Sequence, residues 1–266
     1  MATKTIPKLT KDTQKSFFGT KEYADQNVNF SYGCKNNCVY CYAKGKAKQY
    51  KRDYANTWGE PTLNEKVINK GWNLRQGTLM FPSTHDIYPE NLEAFMQILH
   101  GILEPGNDVL VVTKPNFECI KTICQEFQDD LSQLEFRFTI TSGDNAKLQR
   151  YEPEATLIED RLRALMYAER SGYKTSVSIE PFLDGPKELM KLIRVVQKYA
   201  STIWIGQMNH RYCPKEYDQP SIWSIPALQR LHKSITSNPK ITQSKIRFKK
   251  KFRDAIGLKI NYESPI

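Results

Sequence analysis

Short apolar runs of strand length recur along the chain, separated by longer segments in which apolar residues return every three or four positions. The runs are 28–32, 78–82, 108–113, 135–141, 174–180 and 202–207, rich in Val, Ile, Phe, Thr and Tyr. Such runs, bounded by polar residues, read as buried strands. Helical periodicity fits a segment leaving residue 41, then 90–103, 117–127, 158–171, 186–199 and a last one near 226–234. Leu162, Leu165, Met166 and Ala168 carry the three-and-four spacing of an amphipathic helix, and Gly172 is placed to cap it. The alternation predicts an α/β fold with a parallel sheet and crossover helices. Six strand–helix units fill residues 28–208 as a partial (β/α)6 barrel of TIM-like type. Residues 1–27 read as an N-terminal extension and 209–266 as a C-terminal one. No internal repeat or low-complexity block is present, which excludes a solenoid.

In a parallel barrel, ligands gather at the carboxyl ends of the strands, and here every expected end is polar. The first leads into Cys34-Lys-Asn-Asn-Cys38-Val-Tyr-Cys41, the second into Ser83-Thr84-His85-Asp86, and the third into Thr113-Lys114. The fourth carries Thr139 and runs to Asp144, the fifth ends at Glu180-Pro181, and the sixth at Gln207-Met208-Asn209-His210.

Three thiols within eight residues make a metal loop. At this spacing they suit an iron–sulfur cubane in which three irons carry cysteine and the fourth keeps a vacant position for chemistry. With a distant His or Cys as fourth ligand, the same trio would instead make a structural zinc site in a non-catalytic nucleic-acid-binding module, although no second paired Cys-x-x-Cys accompanies it. Six cysteines in 266 residues, three of them bunched, argue against a disulfide framework. Cys119 and Cys124 stand five apart on different faces of an expected helix and read as packing residues. No apolar run has the length of a membrane span, and the lysines near residue 1 are not followed by an apolar stretch. The expected setting is therefore a soluble protein in a reducing cytoplasm.

The net charge is +10, and its placement says more than its size. From Asn209 to Ile266 there are 12 Lys and Arg against 4 Asp and Glu, a net of +8. Within it, Lys245-Ile-Arg-Phe-Lys-Lys-Lys-Phe-Arg253 interleaves cations with aromatics, as expected where phosphates are gripped and bases stacked. The alternative is an edge strand or helix protected by its charge. On the first reading, DNA or RNA is the expected partner.

The three-cysteine loop with Tyr40 before its last Cys, followed by the six-unit pattern, resembles the radical S-adenosylmethionine superfamily. Within it, residues 28–184 are similar to the spore photoproduct lyase group. The likeness rests on Cys38-Val-Tyr-Cys-Tyr42, Ser83-Thr-His-Asp86, Val112-Thr-Lys114, Phe136-Arg-Phe-Thr139, Tyr151-Glu-Pro153 leading to Arg161-Leu162, and Gly172-Tyr173. It implies a [4Fe-4S] cluster on Cys34, Cys38 and Cys41, whose open iron binds S-adenosylmethionine. It also implies a reducing donor such as flavodoxin or ferredoxin, and release of a 5'-deoxyadenosyl radical that abstracts a hydrogen atom from the substrate.

Carried over by position, the resemblance sets Tyr40 beside the adenine and makes Lys114 and Thr139 cosubstrate contacts. Asp86 matches a retained aspartate, while His85 and Glu180 stand at cosubstrate positions with altered residue types, so both are alternatively substrate contacts. Tyr40 and Tyr42 keep the positions of a hydrogen-atom relay. Ser83 stands where the lyases have the cysteine that returns a hydrogen atom, and an alcohol O–H is a far poorer donor than S–H. Cys213 is then a candidate substitute donor at the barrel mouth. The expected function is radical chemistry on a nucleic-acid base, as repair or modification. Isomerisation, or action on a modified nucleotide, small molecule or peptide, stays open.

Overall fold

The structure is a computed structural model, and it describes residues 19–217 and 220–259. Strand β1 (Gln26–Asn27) opens the main sheet. β2 (Ser31–Tyr32) and β3 (Thr62–Leu63) pair antiparallel outside it. β4 (Leu79–Phe81), β5 (Val109–Thr113), β6 (Leu134–Thr139), β7 (Lys174–Ile179), β8 (Thr202–Ile205) and β9 (Ile246–Phe248) continue the main sheet in chain order. All neighbours in it are parallel, so the seven strands form an open partial barrel rather than a closed one.

Helices cover its outer face. α1 (Tyr42–Gln49) leaves the cysteine loop and the short α2 (Glu65–Ile68) follows β3. The crossovers are α3 (Leu92–Leu103), α4 (Phe117–Glu126), the pair α5 (Asn145–Tyr151) and α6 (Ile158–Arg170), and α7 (Pro186–Val196). The short α8 (Pro220–Trp223) and α9 (Ile225–Thr236) precede β9, and α10 (Lys250–Ala255) follows it. α6 ends in a Schellman turn. The Tyr173 amide donates to Ala168 at 3.1 Å and the Gly172 amide to Glu169 at 3.0 Å, with Gly172 at φ +90°.

Strand period two divides the residues into two sets. Phe81, Val111, Phe136, Phe138, Val177, Ile179, Ile203 and Ile205 are buried in one core with Phe95, Leu99, Ile120, Leu165 and Ile193 of the helices. The alternate residues Met80, Leu110 and Trp204 pack instead with Tyr23 and Ala24. This second set is polar in its middle. Arg137 donates to Ser176 Oγ at 2.9 Å, pairs with Glu135 at 3.2 Å, and lies 4.4 Å from the Tyr23 ring centroid.

Two expectations need correction. Residues 28–32 are not one barrel strand: the main-sheet pairing is made by Gln26 and Asn27, while Ser31 and Tyr32 turn away to pair with Thr62 and Leu63. The sheet also gains a seventh strand from the segment read as lying beyond it. In that segment Phe248 and Phe252 are 3% and 0% exposed and stack on each other at 4.8 Å, so these aromatics fill the core instead of offering stacking surfaces. Lys249 beside them is buried too. Its ammonium pairs with Glu22 at 3.0 Å and donates to the Gly19 carbonyl at 2.9 Å, linking the segments that flank the two edge strands. Among the described residues no helix is long and apolar enough to cross a membrane.

Candidate active site

The cysteine loop is shaped by backbone before any side chain acts. Gly33 has φ +95°, and a Cβ there would sit 2.6 Å from the Trp58 carbonyl oxygen, the group to which the Cys34 amide donates at 2.8 Å. Asn37 N–H then donates to Cys34 O, and Cys41 N–H to Cys38 O, each at 3.2 Å, which folds the loop into successive turns. Cys41 is the N-cap of α1, and its sulfur accepts from the Lys44 amide at 3.4 Å. That thiol faces the positive end of a helix, a setting that favours thiolate.

All three cysteines line one cavity of about 830 Å³ and none is in a disulfide. Burial pushes the Cys34 thiol up to about 12, against the pull of the Lys114 ammonium. Burial raises Cys38 and Cys41 in the same direction. Neutral buried thiols of this kind become thiolates when a metal supplies the positive charge. Among the described residues no three His, Cys, Asp or Glu groups converge as ligands of a single ion. Ligands to three separate irons of a cubane need no such convergence, and a set of soft buried sulfurs facing a cavity fits that cluster.

Strand ends form the opposite wall. Ser83, His85 and Asp86 after β4, Lys114 after β5, Thr139 of β6 and Glu180 after β7 line the same cavity, together with Tyr40 and Tyr42. The site residues drawn from distant motifs are therefore brought together, with one exception. Cys213 is half-buried against the core, its thiol is 3.6 Å from the Pro214 carbonyl oxygen, and the cavity is lined by its neighbours Asn209 and Tyr212 instead. The structure does not place Cys213 as a donor at the mouth.

Asp86 fastens the loop to the wall. Its carboxylate accepts from Asn36 Nδ2 at 2.9 Å, from the Lys114 amide at 2.6 Å and from Thr113 Oγ1 at 3.1 Å. The Lys114 ammonium is 3.6 Å away and the Cys34 sulfur 3.9 Å. Burial alone would raise this carboxyl, but Lys114 and these hydrogen bonds hold it below the usual carboxylate range. His85 differs. Burial lowers it to about 3 despite the neighbouring Asp86, so the imidazole is neutral. Its Nδ1 meets Thr84 Oγ1 at 3.3 Å, while Nε2 is buried without a partner. The Gln207 Oε1 atom is also buried and unpartnered on the cavity lining.

Ser83 is held on all sides. Asn29 Oδ1 accepts from the Ser83 and Thr84 amides at 2.8 and 2.9 Å, and Asn29 Nδ2 donates to Ser83 Oγ at 3.0 Å. The Tyr42 hydroxyl donates to the Ser83 carbonyl at 2.7 Å. Tyr40 belongs to another network. Its hydroxyl donates to Glu152, whose carboxylate also takes Thr141 Oγ1 at 2.8 Å and the Arg161 guanidinium at 2.5 Å. Arg161 and Glu152 are both fully buried. Glu180 accepts from Tyr23 at 2.7 Å and lies 3.7 Å from the Lys249 ammonium.

Sequence reasoning gave no role to Asn29, Asn36, Glu152, Arg161 or Tyr23, and it read Lys249 as part of a phosphate-binding stretch rather than as the buried partner of Glu22. Glu152 and Arg161 stood inside quoted motifs, but only the folded chain shows that they meet under Tyr40. Asn29 carried no signal, since an isolated amide has no spacing rule.

No protein-family model matches the chain. It is 24% identical over 217 residues to the uncharacterized protein ORF301 of Acidianus two-tailed virus, covering 74% of this chain and 71% of that protein. Among solved structures it is similar to Streptococcus suis SuiB bound to S-adenosylmethionine, with TM-score 0.51, 10% identity, and coverage of 85% of this chain and 50% of SuiB. A spore photoproduct lyase mutant with bound AdoMet and dinucleoside spore photoproduct matches at TM-score 0.47 and 15% identity, covering 80% of this chain and 61% of the lyase. The chain thus spans less than two thirds of these structural neighbours. The likeness to SuiB is one of fold: an α/β chain with a mostly parallel, open partial barrel.

Proposed function

We propose that this chain is a radical S-adenosylmethionine enzyme whose substrate is a nucleic-acid base. The observation that carries the reading is the single cavity in which Cys34, Cys38 and Cys41 face Ser83, His85, Lys114, Thr139 and Glu180. A cluster held by the three thiols would supply the electron that splits S-adenosylmethionine into methionine and a 5'-deoxyadenosyl radical. The chain's own residues do the rest. Asp86, through Asn36 and Lys114, fixes the loop against the strand ends. Glu152 holds the Tyr40 hydroxyl, and the neutral His85 ring packs edge-on against Phe30 at the cavity wall. A cavity of about 830 Å³ lies within the usual range for small-molecule and cofactor sites, large enough for a cosubstrate with part of its partner.

One observation favours turnover in which the deoxyadenosyl group recovers its hydrogen. Ser83 Oγ is engaged by Asn29, and Tyr42 addresses the Ser83 carbonyl rather than its hydroxyl, so neither group continues a hydrogen-return chain at that position. Isomerase-type chemistry needs no such chain.

The test is anaerobic reconstitution with iron and sulfide, reduction, and measurement of 5'-deoxyadenosine from S-adenosylmethionine. Wild type should form it and Cys38→Ala should not. Absence from an iron-loaded wild type of both this product and label exchange into recovered S-adenosylmethionine would overturn the proposal. Deuterium moving from labelled substrate into recovered cosubstrate distinguishes isomerisation from stoichiometric consumption.

A further inference from the structure

Part of the basic C-terminal segment is engaged with the fold itself. Lys249 is buried against Glu22, Lys251 donates to the Met208 carbonyl at 3.2 Å, and Lys245 to the Gln197 carbonyl at 2.7 Å. A second concentration of charge lies on α1 and the turn after it, where Lys46 and Arg52 line the cavity. Between Tyr42 and Arg52 stand Lys44, Lys46, Lys48, Lys51 and Arg52, five cations with no acidic residue among them. None of the five has an ion-pair partner among the described residues.

Geometry gives this cluster a direction. Tyr42, Lys46 and Tyr50 follow one another at intervals of four, so they form a stripe along one face of α1 and its C-terminal cap. All three line the cavity that holds the cysteines, as does Arg52. The buried face of the helix is formed by Ala43 and Ala47. Tyr50 is 63% exposed at the outer end of the stripe. Opposite, the Tyr212 ring lies so close to α1 that a Cβ on Gly45 would sit 2.2 Å from Cδ1 of that ring. Glycine inside a helix is unfavourable, and here it admits an aromatic to the cavity rim.

Cations at a helix C-terminus also complement its dipole. That effect acts within the last turn, however, and asks for neither Arg52 beyond it nor the aromatic–cation–aromatic order facing the cavity. Cations without ion-pair partners, interleaved with aromatic rings, are the makings of a single-strand grip, in which phosphates meet ammonium or guanidinium groups and bases stack on rings.

We propose that α1 and the turn after it form the docking rim for a single-stranded or flipped-out polynucleotide, with Lys46 and Arg52 on phosphates and Tyr50 stacked on a base. This deepens the function proposed above and rests on it for the claim that the bound base is the one acted on. The C-terminal segment is not the grip.

The experiment is fluorescence anisotropy of short labelled single-stranded DNA and RNA oligonucleotides with the reconstituted protein over a salt series. For Lys46→Gln/Arg52→Gln, the slope of log affinity against log salt should shrink by about 1.4, roughly 0.7 for each single-strand phosphate that is no longer neutralised. Tyr50→Ala should weaken binding about tenfold or more at fixed salt. Lys233→Gln/Lys240→Gln, which removes the same charge from exposed tail positions, should leave the slope within about 0.3 of wild type. The DNA and RNA arms show which backbone is preferred. Equal losses from the rim and tail variants, or no wild-type binding to either oligonucleotide at low salt, would overturn the inference. Deoxyadenosine formation by the wild type without oligonucleotide is scored separately. If it occurs while the rim effect is absent, only this inference fails; a rim effect without deoxyadenosine removes only the radical reading.

Discussion

Asp86→Asn is the sharpest test of how the cysteine loop is held. The change keeps shape and volume, so no cavity contributes to its effect. What changes is charge and the direction of one hydrogen bond. Asp86 accepts from Asn36, the Lys114 amide and Thr113, and stands 3.6 Å from an ammonium whose side chain is only 12% exposed. Asparagine keeps one acceptor oxygen, enough for the Lys114 amide and Thr113. Its amide nitrogen would then face Asn36 Nδ2, donor against donor, and Lys114 would be left near-buried without its counter-ion.

Removing one partner of a buried ion pair costs about 3–5 kcal/mol. The modest exposure of Lys114 puts the expected loss at the lower end, about 3 kcal/mol, measured by urea unfolding under reducing, anaerobic conditions. Lys114→Met in the same chain should recover part of the loss, because it removes the stranded charge. Iron and sulfide bound per chain after reconstitution should also fall, since Asn36 lies between Cys34 and Cys38. A loss below about 1 kcal/mol, or no recovery in the double variant, would refute the idea that a buried charge pair anchors the loop.

Glu152→Gln should cost about 3–5 kcal/mol by stranding the fully buried Arg161. Burial would raise the Glu152 carboxyl, yet Arg161, Lys114 and the hydrogen bonds from Tyr40 and Thr141 hold it below the usual range. It therefore binds fewer protons folded than unfolded. Its contribution is complete above the unfolded carboxyl range, about pH 4.3, and is lost as pH falls through the lower folded value, so the urea midpoint of wild type should drop more steeply there than that of the variant. Gly45→Ala should destabilise the wild type because its Cβ meets the Tyr212 ring, but stabilise Tyr212→Ala by up to about 1 kcal/mol, the helix preference for Ala over Gly; calorimetry of the four proteins reads the sign change. Cys213→Ser should leave iron content and deoxyadenosine yield within about twofold of wild type, because the cavity is lined by its neighbours, and a tenfold loss would restore Cys213 as a hydrogen donor.

Periodicity exposed six of the ten helices among the described residues, including the long crossovers α3, α4, α6 and α7, and five of the seven main-sheet strands, because these carry apolar faces. α3 repeats Phe95, Ile98, Leu99 and Ile102, all buried, and β5 to β7 are long enough for their alternation to show. β1 has two residues, too few to display a period, and β9, as short as the all-apolar β4, sits among lysines that hide it. The cysteine spacing was legible because metal ligation by a loop is a local property. The clamps on that loop were not. Asn29 with Ser83, Asp86 with Lys114, and Glu152 with Tyr40 are joined across 54, 28 and 112 positions, and no local pattern encodes such pairings. The charge of the tail was legible as composition, yet its aromatics pack inward, which composition cannot distinguish from stacking surfaces.

The tail's link to the site lies at Glu180. An open parallel sheet leaves two edges, and here the segments beside them meet through Glu22 and Lys249, residues 227 positions apart. From the N-terminal side Tyr23 donates to Glu180, and from the C-terminal side the Lys249 ammonium approaches the same oxygen. Gly206 makes this possible, since a Cβ there would come within 2.8 Å of Glu180 Cγ and 2.9 Å of Lys249 Cγ. The carboxylate on the cavity wall is therefore already held by a phenol and faced by a cation when a ligand arrives. Both of those partners address one oxygen, Oε2, so the orientation of this carboxylate at the cavity wall is fixed from both sides of the sheet. The basic segment thus reaches the cavity through one acid whose orientation it helps to set.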